Sequence, residues 1–405
     1  MRAAVLVGVG VLVVALAIVA VALSPRPVAN VPPSSAATTT TPTATPPLSP
    51  SALATATTQP RPDLATLFHP LVTSWRPVEP FLLIERSDAP GTTLVAVPLS
   101  GGAATPLVSL PSPIGLGYDL RDDGSALVVA LATAANTGRI AIWDLAAGTT
   151  RWLTDEEPGV SNATPIWSED GSLIYYAAQM YVAQTNRLAD LGIFRVRSDG
   201  TGKTRVRAAE ENGAQLRGLT PDGRGLVWAR IRAGGSVEVL DLVSGQNRSF
   251  DETQSASVLS WRASRPRALV MVGGCCAGRP GGSLALWDDV ADSSKVLMGV
   301  QSAPSVAVTS AACEPRGTRF AAAVAQSLSV AYFGSVFVYD SDGRQLAPVA
   351  GTDGAQQVLW LPMGIVFTRA MDQGGVEIVL TPVSGGTALR LYQGTGFFIR
   401  SVGAP

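Results

Sequence analysis

A unit of about 47 residues recurs along this 405-residue chain, and this repeat restricts the fold more than any other feature. In each unit a strand ends in a bulky residue, a tight turn follows, and a new apolar strand begins. Trp167-Ser168-Glu169-Asp170-Gly171 before Leu173-Ile174-Tyr175-Tyr176 is the clearest copy. We name each unit after its anchor, the bulky residue before the turn. The anchors are Trp75, Leu120, Trp167, Leu219, Trp261, Cys313 and Trp360, of which Trp75, Trp261 and Trp360 begin weaker copies.

Each unit also contains a later hairpin. Ile140–Asp144 leads into a turn at Gly148, and Val237–Asp241 leads into a turn at Gly245. Asp, Asn and Gly tolerate the positive φ angles that tight hairpin turns require. Four short strands per unit, with no helical periodicity after residue 70, are typical of a β-propeller blade. The sequence therefore predicts an all-β fold, a seven-bladed β-propeller.

The last strand of the chain is expected to close the ring. An eighth anchor would fall just beyond residue 405, so the strand at 396–402 occupies the innermost position of an eighth unit. We expect it to complete the first blade, whose other strands are predicted at 81–87, 93–99 and 105–110. Closure of this kind leaves no exposed edge strand to aggregate.

The chain begins with an apolar segment and a Pro-rich linker. Residues 3–23 carry no polar side chain, and this apolar segment is long enough to form a single transmembrane helix. The sequence thus predicts a membrane anchor at 1–23, with the rest on the extracytoplasmic side because Arg2 favours staying inside. The alternative is a signal peptide cleaved after Ala20-Val21-Ala22, which would release a secreted protein.

Residues 24–62 form the second predicted region. Pro, Thr, Ala and Ser make up 31 of its 39 residues, so it cannot bury a core and is expected to be a disordered tether. It is interpreted as a stalk, or alternatively as an inert linker. The propeller is then predicted to span 63–405.

The turns after the anchors resemble the TolB-type, WD-like propeller repeat. Leu219-Thr220-Pro221-Asp222-Gly223 fits its pattern of a bulky residue, Ser or Thr, Pro, Asp and Gly before a strand. The resemblance covers about 70–405 and implies the fold, but it does not identify a function. Similar repeats also precede peptidase domains of the prolyl-oligopeptidase kind.

Composition excludes several classes of function. A net charge of −1 argues against nucleic-acid binding, and a single histidine, His69, excludes a histidine-based metal cluster. Three cysteines are too few for a disulfide scaffold. No catalytic, cofactor-binding or metal-ligating residues are therefore predicted. Asp123, Asp170, Asp222 and Asp342 lie in Asp-Gly turns, where an Asp side chain normally bonds to its own backbone.

Two segments are candidates for binding a partner. Arg195, Arg197, Arg205 and Arg207 alternate with apolar residues on successive strands, which predicts that all four lie on one side of a hairpin. They form either a docking edge for an acidic partner or anionic polymer, or an ordinary solvated rim.

The loop from Gly273 to Gly282 is the other candidate. It contains Cys275, Cys276 and Arg279 among many glycines. Adjacent cysteines outside the cytoplasm form a strained vicinal disulfide or remain free thiols. Cys313 is expected on the opposite face of the ring.

These observations predict a non-enzymatic, membrane-tethered, monomeric module of the cell envelope that binds a protein or polymer. The alternative is an envelope hydrolase or lyase with its site in the central channel. Three or more convergent Asp, Glu or Tyr side chains at the channel mouth would favour the enzyme.

Overall fold

The computed structural model describes residues 63–403, apart from short gaps. The gaps are 89–90, 111–116, 135, 183–186, 210–212, 231–236, 251–255, 262–266, 273–282, 299–306, 326–333, 372–374 and 395–396. Contacts between residues group 62–405 into one compact unit. No helix among the described residues is long and apolar enough to cross a membrane. The segment predicted to do so, residues 3–23, lies outside them.

The described region opens with one short helix. α1 (Leu64–Leu67) begins after Asp63, whose carboxylate accepts a hydrogen bond from Ala65 N at 3.4 Å. Phe68 follows and packs edge-on against Trp143, with ring centroids 5.5 Å apart. This aromatic contact fastens the start of the domain to the unit anchored at Leu120.

All remaining elements are strands, numbered here in chain order. One sheet, ordered β1-β4-β3-β2-β29, contains β1 (His69–Pro70), β2 (Phe81–Asp88), β3 (Gly91–Pro98), β4 (Thr105–Leu110) and β29 (Phe397–Gly403). A second sheet has eight strands: β5 (Tyr118–Leu120), β6 (Ala126–Ala134), β7 (Thr137–Asp144), β8 (Thr149–Trp152), β9 (Val160–Trp167), β10 (Leu173–Val182), β11 (Arg187–Arg197) and β12 (Thr204–Arg207).

Four further sheets have four antiparallel strands each, paired in chain order. The third contains β13 (Ala214–Leu219), β14 (Gly225–Arg230), β15 (Val237–Asp241) and β16 (Asn247–Phe250). The fourth contains β17 (Ala256–Trp261), β18 (Arg267–Val272), β19 (Ser283–Asp288) and β20 (Ser293–Met298). The fifth contains β21 (Ala307–Cys313), β22 (Phe320–Ala325), β23 (Ser335–Tyr339) and β24 (Gln345–Pro348). The sixth contains β25 (Ala355–Leu361), β26 (Gly364–Ala370), β27 (Val376–Thr381) and β28 (Leu389–Gly394).

The propeller fold is present, but the predicted number of blades needs a correction. Within the described residues, hydrogen bonding forms five discrete blades and one continuous eight-stranded sheet, not seven discrete blades. The units anchored at Leu120 and Trp167 merge because β7 and β9 pair in parallel at Gly138 and Ser161. Asn162 Nδ2 also donates to Gly138 O at 3.2 Å, which adds a second hydrogen bond between the two units.

The last strand of the chain lies in the first sheet. β29 pairs antiparallel with β2, in a register that sets Phe81 opposite Gly403 and Arg86 opposite Phe397. Leu82 and Ile84 of β2 are fully buried, in one cluster with Ile399 of β29. The two ends of the propeller chain are thus held in one sheet.

The core lies between neighbouring sheets. Trp143, Trp228 and Trp287 are fully buried, each in a cluster built from two neighbouring units. Burial of apolar surface on both faces of a sheet contributes about 25 cal/mol per Å². Because both faces of the sheets are buried, the chain contains many apolar and few charged residues, 46% and 15% respectively.

The first strands of the units meet along one side of the sheets, and we call β5, β9, β13, β17, β21, β25 and β29 the inner strands. Polar side chains join several of them. Thr164 Oγ1 accepts from Leu216 N at 3.0 Å, Ser310 Oγ from Val358 N at 3.1 Å, and Gln357 Oε1 from Ile399 N at 3.1 Å. Each acceptor lies three residues before its anchor. Every inner strand after β5 also contains a β-bulge, which re-aims side chains locally.

Candidate functional site

A cavity of 590 Å³ opens where the inner strands β5, β9 and β13 come together. Its walls combine these strands with the turns that follow them in the units anchored at Leu120, Trp167 and Leu219. Ligand sites typically occupy about 300–1,000 Å³. The cavity is therefore large enough to hold a small molecule or a short peptide.

Three carboxylates and a tyrosine line this cavity. Tyr118 and Asp119 lie on β5, Asp122 lies in the turn after β5, and Glu169 lies in the turn after β9. Asp119 is partly buried, whereas Asp122 and Glu169 are exposed. The arrangement gathers negative charge from two adjacent units at one place.

The repeat itself does not require these three acids. Asp119 precedes its anchor by one residue, where four other units carry apolar residues or glycine, Ile166, Gly218, Ala312 and Leu359, and the remaining two carry serine. Asp122 and Glu169 follow their anchors by two residues, where four other units have proline: Pro77, Pro221, Pro315 and Pro362. Acids that depart from the repeat pattern and converge on one cavity are candidates for binding or catalysis.

The backbone around Asp119 also departs from the repeat. Gly117 is three residues before the anchor, where three other units carry a hydrogen-bonding side chain, Thr164, Ser310 or Gln357, and its φ is +93°. A Cβ there would lie 3.1 Å from Thr164 Cα. Thr164 itself has a φ of +48°, a conformation that β-branched residues rarely adopt. The strained backbone of Thr164 in the cavity wall is a further mark of a functional site.

Asp119 replaces the missing tie between units. Its Oδ2 accepts a hydrogen bond from Trp167 N at 2.8 Å. Burial raises the pKa of Asp119 to about 7, with a smaller contribution from the charge on Asp122. The pKa of Asp122 is raised by burial and then by Glu169. Asp119 can therefore hold or release a proton near neutral pH.

The neighbouring Asp residues of the turns behave differently. The Arg121 hydrogen bond holds the pKa of Asp123 well below its usual range, and Ser168 lowers the pKa of Asp170 to about 2. Asp123, Asp170 and Asp222 each accept a backbone N–H two residues later, at 2.9, 3.0 and 3.1 Å. The prediction that these three acids support their turns is confirmed.

A positive charge lines the same cavity. Arg217 occupies the bulge of β13 between Leu216 and Gly218, and its side chain is exposed. A Cβ on Gly218 would meet no atom within 4 Å, so the space beside Arg217 is open. The cavity thus presents both signs of charge.

The four arginines of the predicted hairpin do not share one face. Arg195 lies opposite Thr204 and donates from Nε to its Oγ1 at 3.0 Å. Arg205 lies opposite Phe194, on the other face, because the hairpin pairs Arg195 with Thr204; the bulge beyond it returns Arg207 to a position opposite Ile193. The predicted alternation is therefore wrong. Arg195, Arg197 and Arg205 are exposed, and their role in partner binding stays a prediction.

Arg207 is buried rather than available on the surface. Its Nη2 lies 2.5 Å from Asp190 Oδ2, and its guanidinium lies 4.2 Å from the centroid of the Trp228 ring. The side chain is 6% exposed and that of Asp190 is 0% exposed. Arg207 thus joins the units anchored at Trp167 and Leu219.

The remaining residues singled out from the sequence are Arg279, the three cysteines and His69. Arg279, Cys275 and Cys276 lie outside the described residues, so their predicted roles stay predictions. Cys313 ends β21 and is buried in the core. His69 is exposed on β1, at the opposite edge of its sheet from the inner strand β29.

Sequence reasoning missed Asp119, Asp122, Glu169 and Arg217 as a group. A signal for the acids was nevertheless present, because aligning the units on their anchors shows acids where other units carry apolar residues or proline. Arg217 gives no such signal. Its place in the cavity depends on a bulge that the strand pattern does not reveal.

No family model and no curated protein matches this chain. Solved structures of similar fold include a prolyl endopeptidase, which is 16% identical with a TM-score of 0.57 and covers 83% of this chain and 50% of that one. A puromycin hydrolase is 15% identical with a TM-score of 0.58, covering 82% of this chain and 54% of that one. TolB from Acinetobacter baumannii is 17% identical with a TM-score of 0.44, and the match covers 66% of this chain and 62% of that one. The chain spans about half the length of the first two, and the likeness shows the fold.

These neighbours correct the prediction that the protein is not an enzyme. The two with the higher TM-scores are enzymes, although the match to them is confined to their propeller domain. The fold therefore gives no ground for excluding catalysis. Tyr118, Asp119, Asp122 and Glu169 converge on one cavity.

Proposed function

We propose that this propeller binds a ligand through a cationic group, such as an ammonium, in the cavity between β5, β9 and β13. The observation that carries the proposal is the convergence of Asp119, Asp122 and Glu169 on one cavity, at positions where the repeat does not need acids. We call these three residues the acidic cluster.

The electrostatics of the cluster support a cationic partner. Burial raises the pKa of Asp119 and of Asp122 in the unliganded protein, and like charge raises them further, from Asp122 on Asp119 and from Glu169 on Asp122. A cation placed among them would relieve this repulsion and form charge-assisted hydrogen bonds, which are worth about 1.5–3 kcal/mol each. Binding should therefore be accompanied by release of a proton from Asp119 near neutral pH.

The experiment compares a cationic peptide with its neutral counterpart. Isothermal titration calorimetry at pH 7 would measure binding of trialanine amide and of N-acetyl-trialanine amide to the protein. We expect only the first to bind, and the double variant Asp122→Asn/Glu169→Gln to lose that binding. The variant Asp155→Asn/Asp292→Asn removes two exposed acids elsewhere and serves as the control. Equal binding of both peptides by the unmodified protein would overturn the proposal.

A second candidate function is acid–base catalysis on the bound ligand, as a hydrolase or lyase. The observation that favours it is the carboxyl group of Asp119, which has a pKa of about 7 and lines the cavity together with two further carboxylates. A general acid or base works best when its pKa is near the working pH. Mass spectrometry of incubated trialanine amide would show cleavage by the unmodified protein and none by Asp119→Asn. An intact peptide in both reactions would exclude hydrolysis of this substrate.

A further inference from the structure

We infer that the hydrogen bond between the Asp119 side chain and the backbone of Trp167 is a pH-sensitive closure of the cavity: neutral Asp119 holds β5 and β9 together, and ionisation of Asp119 lets them separate at the cavity mouth. We call this hydrogen bond the junction tie. The inference goes beyond the proposed function, because it concerns a movement of the protein itself and needs no ligand.

The junction tie differs in chemistry from the other ties between inner strands. In three other junctions of the described residues the acceptor is a neutral oxygen, from Thr164, Ser310 or Gln357. Between β5 and β9 the corresponding position is Gly117, which has no side chain, and the acceptor is instead the carboxyl group of Asp119. Among these four ties, therefore, only the one that borders the acidic cluster can gain or lose a charge.

The two ends of β9 are held differently. Near its start, Ser161 pairs with Gly138 of β7, and Asn162 Nδ2 donates to Gly138 O at 3.2 Å. At its last residue, Trp167, the junction tie of 2.8 Å holds the backbone to the preceding unit. Because the Trp167 side chain packs in the hydrophobic cluster shared by the two units, we expect a local separation of the backbones rather than unfolding. Breaking the junction tie therefore loosens β9 at the end that borders the cavity.

Burial decides the direction of the pH response. Burial raises the pKa of Asp119 to about 7 from an ordinary value of 3.8, although the hydrogen bond from Trp167 lowers it. The ionised side chain is thus less stable in the closed junction than in water, so opening is favoured as the pH rises between these two values. Full exposure of Asp119 on opening would raise the ratio of open to closed molecules by at most about a thousandfold over this range.

The charges around Asp119 do not reverse this direction. The charge on Asp122 raises the pKa of Asp119 further. The other titratable or charged groups nearby are Tyr118, Glu169 and Arg217 in the cavity wall, Arg121 over the Trp167 ring, and Glu85, whose carboxylate accepts from Tyr118 at 3.4 Å. Arginine keeps its charge throughout this pH range, so the two guanidinium groups contribute no titration of their own.

Hydrogen–deuterium exchange followed by NMR tests the inference between pH 5 and pH 8. The amide of Trp167 reports on the junction tie. The amide of Leu216, which donates to Thr164 Oγ1 at 3.0 Å in the next junction, is the internal control. We expect the protection of the Trp167 amide, corrected for intrinsic exchange, to fall by about tenfold or more as the pH rises, while that of Leu216 stays within about twofold.

Two variants separate the junction tie from the rest of the acidic cluster. Asp119→Asn should abolish the pH dependence at Trp167, because an amide oxygen accepts the same hydrogen bond without ionising. Asp122→Asn, which removes the neighbouring acid, is the matched control and should retain the dependence.

The comparison of the two amides in the unmodified protein decides the inference even if Asp119→Asn does not fold. An equal loss of protection at Trp167 and Leu216 would show that the whole propeller, rather than this junction, responds to pH. A gain of protection at Trp167 with rising pH would show that the charge-assisted hydrogen bond outweighs burial. Either result would overturn the inference.

Discussion

Replacing Arg207 with alanine removes a guanidinium that three groups surround. Its Nη2 lies 2.5 Å from Asp190 Oδ2, its Nη1 donates to Ala208 O at 3.0 Å, and its plane lies 4.2 Å from the Trp228 ring centroid. The carboxylate of Asp190 is fully buried. The substitution therefore takes the guanidinium away from a carboxylate that water does not reach.

The expected cost follows from this burial. Breaking a buried ion pair by removing one partner typically destabilises a protein by about 3–5 kcal/mol, because a charge is left in a poorly solvating environment. The lost stacking on Trp228 is included in this figure, since the two contacts share one side chain. Arg205→Ala, by contrast, removes an exposed side chain two residues away and should change stability by less than about 0.5 kcal/mol.

Equilibrium urea unfolding followed by circular dichroism would measure both variants. The double variant Asp190→Asn/Arg207→Gln should recover part of the loss, because it removes both charges together and keeps polar groups of similar size. If Arg207→Ala unfolds at the same urea concentration as Arg205→Ala, the guanidinium of Arg207 does not stabilise the packing of its unit, and the structural assignment is wrong.

Three further predictions concern the cavity, the turns and the ring. Asp119 has a folded-state pKa of about 7 against 3.8 when unfolded, so the folded protein retains a proton that the unfolded chain has lost between these values. Stability should therefore fall as pH rises from about 4 to 7, and Asp119→Asn should flatten this slope in thermal melts; an unchanged slope would contradict the raised pKa. Gly148 and Gly245 close similar turns at φ of +69° and +72°, but a Cβ on Gly148 would lie 1.7 Å from Thr73 O while one on Gly245 meets nothing within 4 Å. In urea unfolding, Gly245→Ala should lower the free energy of unfolding by about 1–2 kcal/mol, and Gly148→Ala should lower it by clearly more. Equal losses in the two variants would refute the contact between residue 148 and Thr73. Deleting 396–405 removes β29 from the first sheet and should lower the melting temperature of the whole propeller, whereas an unchanged melting temperature would show that β29 does not stabilise the ring.

Much of the local structure could be predicted from the sequence. The anchors Leu120, Trp167, Leu219 and Cys313 each end an inner strand, and the turns that follow them have Gly at positive φ in three units, at Gly124, Gly171 and Gly223. The last strand was predicted at 396–402, and β29 pairs with β2. These features depend on alternation, turn residues and strand order along the chain, which act over a few residues or follow from the repeat.

The prediction failed where neighbouring units or strands adjust to one another. The alternation of Arg195, Arg197, Arg205 and Arg207 predicts one shared face, but the register of the hairpin is shifted by one residue, so that Arg195 pairs with Thr204 and Arg205 lies on the opposite side. Because side chains in a strand alternate with a period of two, a one-residue shift reverses the face of every residue beyond it. The sequence pattern contains no sign of that shift.

Tertiary structure alone decided the sheet count and the candidate site. The sequence specifies units, but the close approach of Gly138 to Ser161 joins two of them into one sheet. It contains the unusual acids Asp119, Asp122 and Glu169, but only the packing of β5 against β9 and β13 brings them together with Arg217 around one cavity. Local hydrogen bonding and hydrophobic alternation determine strands and turns, because each acts between residues close in sequence. Which side chains meet across units depends on bulges and on glycines that let backbones approach, and those contacts join residues about 50 positions apart.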